Sequence, residues 1–461
     1  MKKQNKQYII IISCIAAIGG FLFGFDTGVI SGTIIFLQDT TGWALTDSQL
    51  GGVTTAVLLG AVLGCLVSGR VTDIFGRKKV IILTSVIFMC GAVLSGSAPD
   101  VKFLIISRLF LGLGIGIASY SVPLYIAEIS PARQRGALVT INQLMITIGI
   151  LISYITDYWI ANDADPYSWR MMFHIGFIPG MLLFIGMFFL PETPRWLISK
   201  GRDEEGTNVL KRVEDSDLID SSLKKLKEEI ALDKDNRTSV KMFSQPLLKY
   251  PFIIGMGIMI LAEFTGIDTI VYYTPKIFKI AGYISNEQSI LPAIIVGSSN
   301  VIFTVVSIFL VDRIGRRILY FIGTSGLVIT LFSMGLCFHY QAELGGFFSI
   351  LTISAMFLFI ASFALSFGPL SWLLISEIFP LKFRGLGMSI GAFTLWSATT
   401  VVNYSFLKIV DALTLAGTFW AFTIMGIISG IWGFFMIPET KGKSLEYIED
   451  HWRQGKKPRE L

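Results

Sequence analysis

Four charged side chains sit deep within runs of apolar residues: Asp26, Arg108, Glu263 and Asp268. An ionisable group at the centre of a lipid bilayer costs about 3 kcal/mol or more, so each of these is expected to have a task. Asp26 stands among Gly20, Gly24, Gly28 and Gly32, a stripe at every fourth position that lets another helix approach closely. It lies two residues off that stripe, about half a turn round the helix, and so points to the opposite side. The partner expected there is Arg108, which shares a face with Gly112 and Gly116. A carboxylate paired with arginine stays ionised, whereas one parted from it in a dry site takes up a proton. A group whose proton affinity follows conformation is what proton-driven work requires. The alternative is a static ion pair that fixes helix packing, although a buried pair is weak evidence for stability alone.

Glu263 and Asp268 are five residues apart, about 140° in an ideal helix, so they converge only if the helix breaks near Gly266. Discontinuous helices of this kind surround the binding sites of transporters. Gly368 and Pro369 predict a second interruption, followed by Trp372, whose ring could cover the C–H face of a sugar. Gln143 and Asn300 are lone amides in apolar runs; helix-to-helix hydrogen bonds and ligand contact both remain open for them. His174 reads as a packing residue. No nucleophile with a base, metal cluster or phosphate loop is recognisable, so neither an enzyme nor a cofactor or metal is expected.

The elements that must position these groups are membrane helices. The 461 residues are 53% hydrophobic and only 15% charged, against about 25% charged in soluble domains. Apolar runs long enough to cross a bilayer fall at 8–31, 50–69, 79–97, 101–122, 137–157 and 171–190. Six more follow at 251–274, 290–311, 317–338, 347–373, 386–408 and 417–437. Three loop signatures recur between the two sets. Asp73, Gly76 and Arg77 return as Asp312, Gly315 and Arg316. Glu128, Pro131, Arg133, Arg135 and Gly136 return as Glu377, Pro380, Lys382, Arg384 and Gly385. Pro191, Glu192 and Thr193 return as Pro438, Glu439 and Thr440. Such agreement is the trace of a duplicated six-span bundle, and bundles of that kind hold their substrate between the halves.

The expected fold is therefore all-α and integral to the membrane, with twelve transmembrane helices in two pseudo-symmetric six-helix bundles. The divisions drawn are 1–194, a cytoplasmic helical linker at 195–249, 250–440 and a tail at 441–461. In the linker, Leu210, Val213, Leu218, Leu223, Leu226 and Ile230 among Lys and Glu suggest short amphipathic helices. Lys and Arg stay on the cytoplasmic side, and all but Lys102, Arg108, Arg170, Lys276, Lys279 and Lys408 fall on one side of this layout. Both termini are then cytoplasmic, in a plasma-membrane protein. The net charge of +5 reflects this loop bias, with contact to anionic headgroups, and calls for no nucleic-acid partner. The apolar run before Cys14 is too short for a cleaved signal and continues as a full span. Cys14, Cys65, Cys90 and Cys337 are scattered singly and read as packing residues.

Taken in order, these motifs resemble the sugar porter family of the major facilitator superfamily over nearly the whole chain. The resemblance rests on Gly24 to Gly32 with Asp26, and on Gly76, Arg77 and Lys78. It continues through Arg108 with Gly112, Gly114 and Gly116, then Pro191 to Arg195, Tyr272 and Tyr273. Gly315 to Arg317, Gly368, Pro369 and Trp372, and Pro438 to Gly442 complete it. It implies two halves rocking about a central site and import of a monosaccharide or polyol; separately, a monomer is expected to be the functional unit. Proton-coupled members carry an acid matching Asp26 paired to an arginine matching Arg108, so symport with a proton is expected over passive uniport. Gln143, Asn300, Trp372 and Trp396 match sugar-contacting positions, and Tyr272 and Tyr273 match gate positions. The loops with Arg77, Glu128, Arg135, Arg316, Glu377 and Arg384 resemble an inner gate whose salt bridges hold the outward-facing state closed. Where the family has a glutamine pair and then asparagine, this chain has Ala262, Glu263 and Asp268, and Leu395 replaces a polar residue. A carboxylate accepts from hydroxyls but donates only when protonated. An unusual pentose or polyol, a cationic amino sugar or a second titrating group would each fit that change. A non-transporting receptor would be expected to carry a longer signalling tail than follows the last span.

Overall fold

The computed structural model describes residues 3–40, 42–131, 135–235, 246–282, 285–380 and 383–461, and among these every regular element is helical. The first half supplies spans 1 to 6: Gln7–Leu37, Asp47–Phe75, Arg77–Gly96, Val101–Ile129, Leu138–Ile160 and Trp169–Phe189. The second half supplies spans 7 to 10, Leu247–Ile280, Asn286–Ile314, Arg316–His339 and Phe347–Ile378. The helical run Arg384–Met436 is divided at Thr414 (φ 64°), and its two limbs are spans 11 and 12. The helices outrun the apolar stretches at most ends, and polar caps set several of their starts. Thr46 and Gln49 form a reciprocal capping box before span 2, and Asp100 and Ser285 cap spans 4 and 8.

Close helix contacts follow the glycines. Beta-carbons on Gly20, Gly24, Gly28 and Gly32 would run into Asn142, Ile146, Ser153 and Asp157 of span 5, so the stripe is the seam between spans 1 and 5. Gly112 and Gly116 are pressed in the same way against the main chain of span 2 at Val57 and Ala61. The first half is thereby tied through its backbones, leaving the other face of span 1 free to carry Asp26 inward.

Two spans are broken. Span 7 stops at Phe264 and restarts at Ile267, with Gly266 between them in the left-handed region (φ 83°). Span 10 breaks at Ser366, earlier than the Gly368–Pro369 pair that predicted it. A proline has no N–H, so the hydrogen bond it fails to make belongs to the carbonyl four residues earlier. That carbonyl is Leu365, and it accepts from Ser307 Oγ of span 8 at 3.1 Å. Pro275 similarly leaves the Val271 carbonyl free, and Tyr154 Oη of span 5 donates to it at 2.9 Å. This second repair joins the two halves.

The linker forms helices Pro194–Ser199, Asp203–Val213 and Ile219–Asp235. Val209, Leu210 and Val213 are buried there as the amphipathic pattern predicts, whereas Leu218 sits in a tight turn and is exposed.

Gly24→Leu is expected to cost about 1–3 kcal/mol or more by overpacking, read as a lowered unfolding midpoint in detergent. Gly69→Ala, where a β-carbon meets nothing within 4 Å, should leave that midpoint unchanged or raised. Tyr154→Phe should cost about 1–3 kcal/mol by orphaning a buried carbonyl; an unchanged midpoint would mean that another donor reaches Val271.

Candidate functional site

Asp26 and Arg108 meet as anticipated. Both guanidinium Nη atoms face the carboxylate, with Arg108 Nη2 donating to Asp26 Oδ2 at 2.9 Å and Nη1 paired with Oδ1. Arg108 is fully buried and Asp26 is 4% exposed. The Phe173 ring of span 6 covers the guanidinium at 5.3 Å. On the side of the second half, the Tyr272 hydroxyl lies within hydrogen-bonding reach of Thr27 and feels the charges of Asp26, Arg108 and Asp268. The charge pair and the span 7 break are therefore neighbours.

The break at Gly266 turns Glu263 and Asp268 toward each other, so that their carboxyl groups come within hydrogen-bonding reach of one another and of Thr399 on span 11. Trp396, one turn before Thr399, is buried and packs edge-on against Phe23 of span 1, with ring centroids 4.8 Å apart. Gln143 of span 5 directs its amide at Gly368, 3.8 Å from where a β-carbon would be. Trp372 lies one turn beyond Gly368 on the same face and is partly exposed. Asn300 is buried one turn beyond Gly297, against which the Tyr154 ring packs. The candidate ligand residues thus line the surfaces where the halves meet, and the two acids form the tightest group among them. The apolar groove between spans 9 and 12, walled by Val328, Ile329, Ile427 and Ile431, lies apart from all of these groups.

Tyr272 and Tyr273 are both buried, and the Tyr273 hydroxyl bonds Thr54 Oγ1 of span 2 across the halves at 3.1 Å. Further ties lie at the same end: Lys276 to Asp47 at 2.7 Å, Asn286 N–H to Asp163 at 3.0 Å and Asn286 Nδ2 to Asp39 at 3.3 Å. At the basic-loop end the duplicated motifs build twin clusters. Arg77 pairs with Glu128 at 3.0 Å and Asp73 at 3.2 Å, and Thr193 Oγ1 donates to Glu128 at 2.6 Å. Arg316 pairs with Glu377 at 2.7 Å and Asp312 at 3.1 Å, and Thr440 Oγ1 donates to Glu377 at 2.5 Å. Each cluster closes within its own half, and among the described residues no ion pair crosses between the halves there. Arg135 and Arg384 begin their helices, but their side chains lie outside the described residues.

Several contributors escape a reading of the sequence. Glu192 accepts from the first N–H groups of span 3, those of Arg77 and Lys78, at 3.1 Å each, and Glu439 accepts from Arg316 and Arg317 of span 9 at 3.1 Å each. Burial pushes the Glu192 carboxyl up from its usual range, opposed by the N–H groups of Thr193, Lys78 and Arg77. Their recurrence in the Pro-Glu-Thr motif after spans 6 and 12 was visible in the sequence, but the helix ends they serve were not. Asp157 is fully buried against Gly32, and neither carboxyl oxygen has a partner among the described residues. Ending span 5 at 157 set that residue at the margin of the bilayer; the helix continues to Ile160 and carries it inside. Thr399 carries no mark in the sequence, because nothing local says it faces span 7.

A profile of the family described as "Sugar (and other) transporter" matches residues 12–452. The galactose-proton symporter of Escherichia coli K12 is 35% identical over 100% of this chain and 97% of its own length. The major myo-inositol transporter IolT of Bacillus subtilis 168 is 36% identical over 98% and 96%. The structure of the proton:xylose symporter XylE of E. coli, bound to 6-bromo-6-deoxy-D-glucose, superposes with a TM-score of 0.83 at 33% identity, covering 97% of this chain and 100% of that one. With its duplicated loops, broken seventh and tenth spans and a family match along nearly its full length, the chain belongs to the sugar porter family of the major facilitator superfamily and is a membrane transporter rather than an enzyme.

Proposed function

We propose that this transporter is a proton-coupled symporter that imports a monosaccharide or polyol across the plasma membrane by alternating access. The observation that carries the reading is the buried Asp26–Arg108 pair. While the pair is made, Asp26 holds its charge without a proton. When the halves rock and Arg108 withdraws, the isolated carboxylate in a dry site must take a proton to remain there. Protonation and movement are then one step. Relatives named for proton symport with galactose and xylose, and one named for myo-inositol, support both the coupling and the cargo class.

The bias of basic residues puts both termini in the cytoplasm. The ties from Tyr273, Lys276 and Asn286 to the first half then close the outer end. Gln143, Glu263, Asp268, Asn300, Trp372 and Trp396 hold the cargo, with Tyr272 and Tyr273 as the outer gate. The twin clusters of Arg77 with Glu128 and Arg316 with Glu377, joined by Arg135 and Arg384, form the inner gate of the opposite state. Both halves lie in one chain, so a monomer completes the path. One proton driven by 100 mV carries about 2.3 kcal/mol, enough for about 50-fold accumulation.

Uptake into vesicles under an imposed pH gradient tests the coupling. Asp26→Asn is expected to abolish uphill accumulation while keeping exchange of labelled substrate across the membrane. Accumulation that survives the substitution removes Asp26 from the mechanism, and unmodified protein that ignores the gradient is a passive uniporter.

A further inference from the structure

The acid pair at the span 7 break lacks a counter-charge. Glu263 is 4% exposed, and its Oε2 is buried with no hydrogen-bond partner. Asp268, in contact with it, is partly exposed, so the pair is open on that side. The Thr399 hydroxyl is shared between these acids and the Leu395 carbonyl, to which it donates at 2.9 Å, and being neutral it leaves their charge unmet. Among the described residues no lysine, arginine or histidine pairs with either acid, and Arg108 beyond Tyr272 has both Nη atoms on Asp26.

Two touching carboxylates cannot both stay ionised without a cation between or beside them; left alone they share one proton, which an arriving cation displaces. Asp268 nevertheless stands in the first turn of the second half-helix of span 7, where the exposed N–H groups favour negative charge. An amide pair would both donate to and accept from neutral hydroxyls; an ionised acid pair only accepts. Its complement is a group that only donates, and an ammonium offers three donors and no acceptor. One turn along span 11, the buried Trp396 indole N–H has no acceptor among the described residues, a vacant donor suited to a hydroxyl oxygen.

We propose that Glu263 and Asp268 seat a protonated amine on the cargo, so that the substrate class is an amino sugar or amino polyol. This rests on the sugar-transport reading of the same site and narrows it. Asp26 keeps its separate part, since its charge is already met by Arg108.

Thermal-shift titration of the purified full-length protein at neutral pH tests the assignment. The probes are glucosamine, galactosamine and mannosamine, each beside its parent hexose and its N-acetyl form, together with xylose and myo-inositol. At least one amine is expected to bind about 10- to 100-fold more tightly than its parent and its N-acetyl form, the range spanned by a charge-assisted hydrogen bond. Glu263→Gln, or Asp268→Asn should the first variant not fold, is expected to bring the ratio of amine to parent affinity close to one. Neutral sugars that match or exceed every amine overturn this inference and leave sugar transport standing. A preference for the amine that survives both substitutions also overturns it. Absence of any shift with every probe overturns the sugar reading together with it.

Discussion

Arg108 and Asp26 cancel one another's charge where no water can do so, and the rest of the first half is arranged to keep them in register. An unpaired charge at that depth would cost several kcal/mol, so the helices that carry the two residues cannot drift apart without a replacement for the lost partner. Span 1 is locked to span 5 by its glycine face, and span 4 to span 2 by Gly112 and Gly116. The pair is held from behind by backbone contact and from the side by Phe173. On its remaining flank Tyr272 belongs to the other half, which makes the ion pair sensitive to how the halves sit.

The broken spans follow the same logic of obligatory satisfaction. In lipid a main-chain carbonyl without a donor costs several kcal/mol. Pro275 and Pro369 each create one, and hydroxyls on neighbouring helices, Tyr154 and Ser307, answer them. At Gly266 the interruption swings two acids onto one face and gives the second half-helix an open N-terminus inside the protein.

Much of this was legible in the sequence because membrane helices write their constraints locally. Hydrophobic length gave the spans, duplicated loops gave the two halves, and the glycine periodicity gave the direction of Asp26. Glu263 and Asp268 could converge only across a break near Gly266, and that break is present. What stayed hidden depended on partners distant in sequence. Thr399 has no local signal for facing span 7, and the Tyr154 hydroxyl has a task only once Val271 is known to lie opposite. Asp157 lay at the edge of an apolar run whose helix goes one turn further, and Ser366 rather than Gly368 is the hinge because proline disturbs the turn before it. The twin clusters were expected as a device between halves, yet each is closed within its own half in this state.

The hydroxyl of Tyr154 reaches across to main chain, not to a side chain. Such a bond is indifferent to which amino acid owns the carbonyl, so position 271 is at liberty to drift among residues of similar bulk while the junction persists. The inherited information for that junction resides instead in a phenol on one helix and an imino acid four residues downstream on another. A search for paired substitutions between the two touching positions would pass over it.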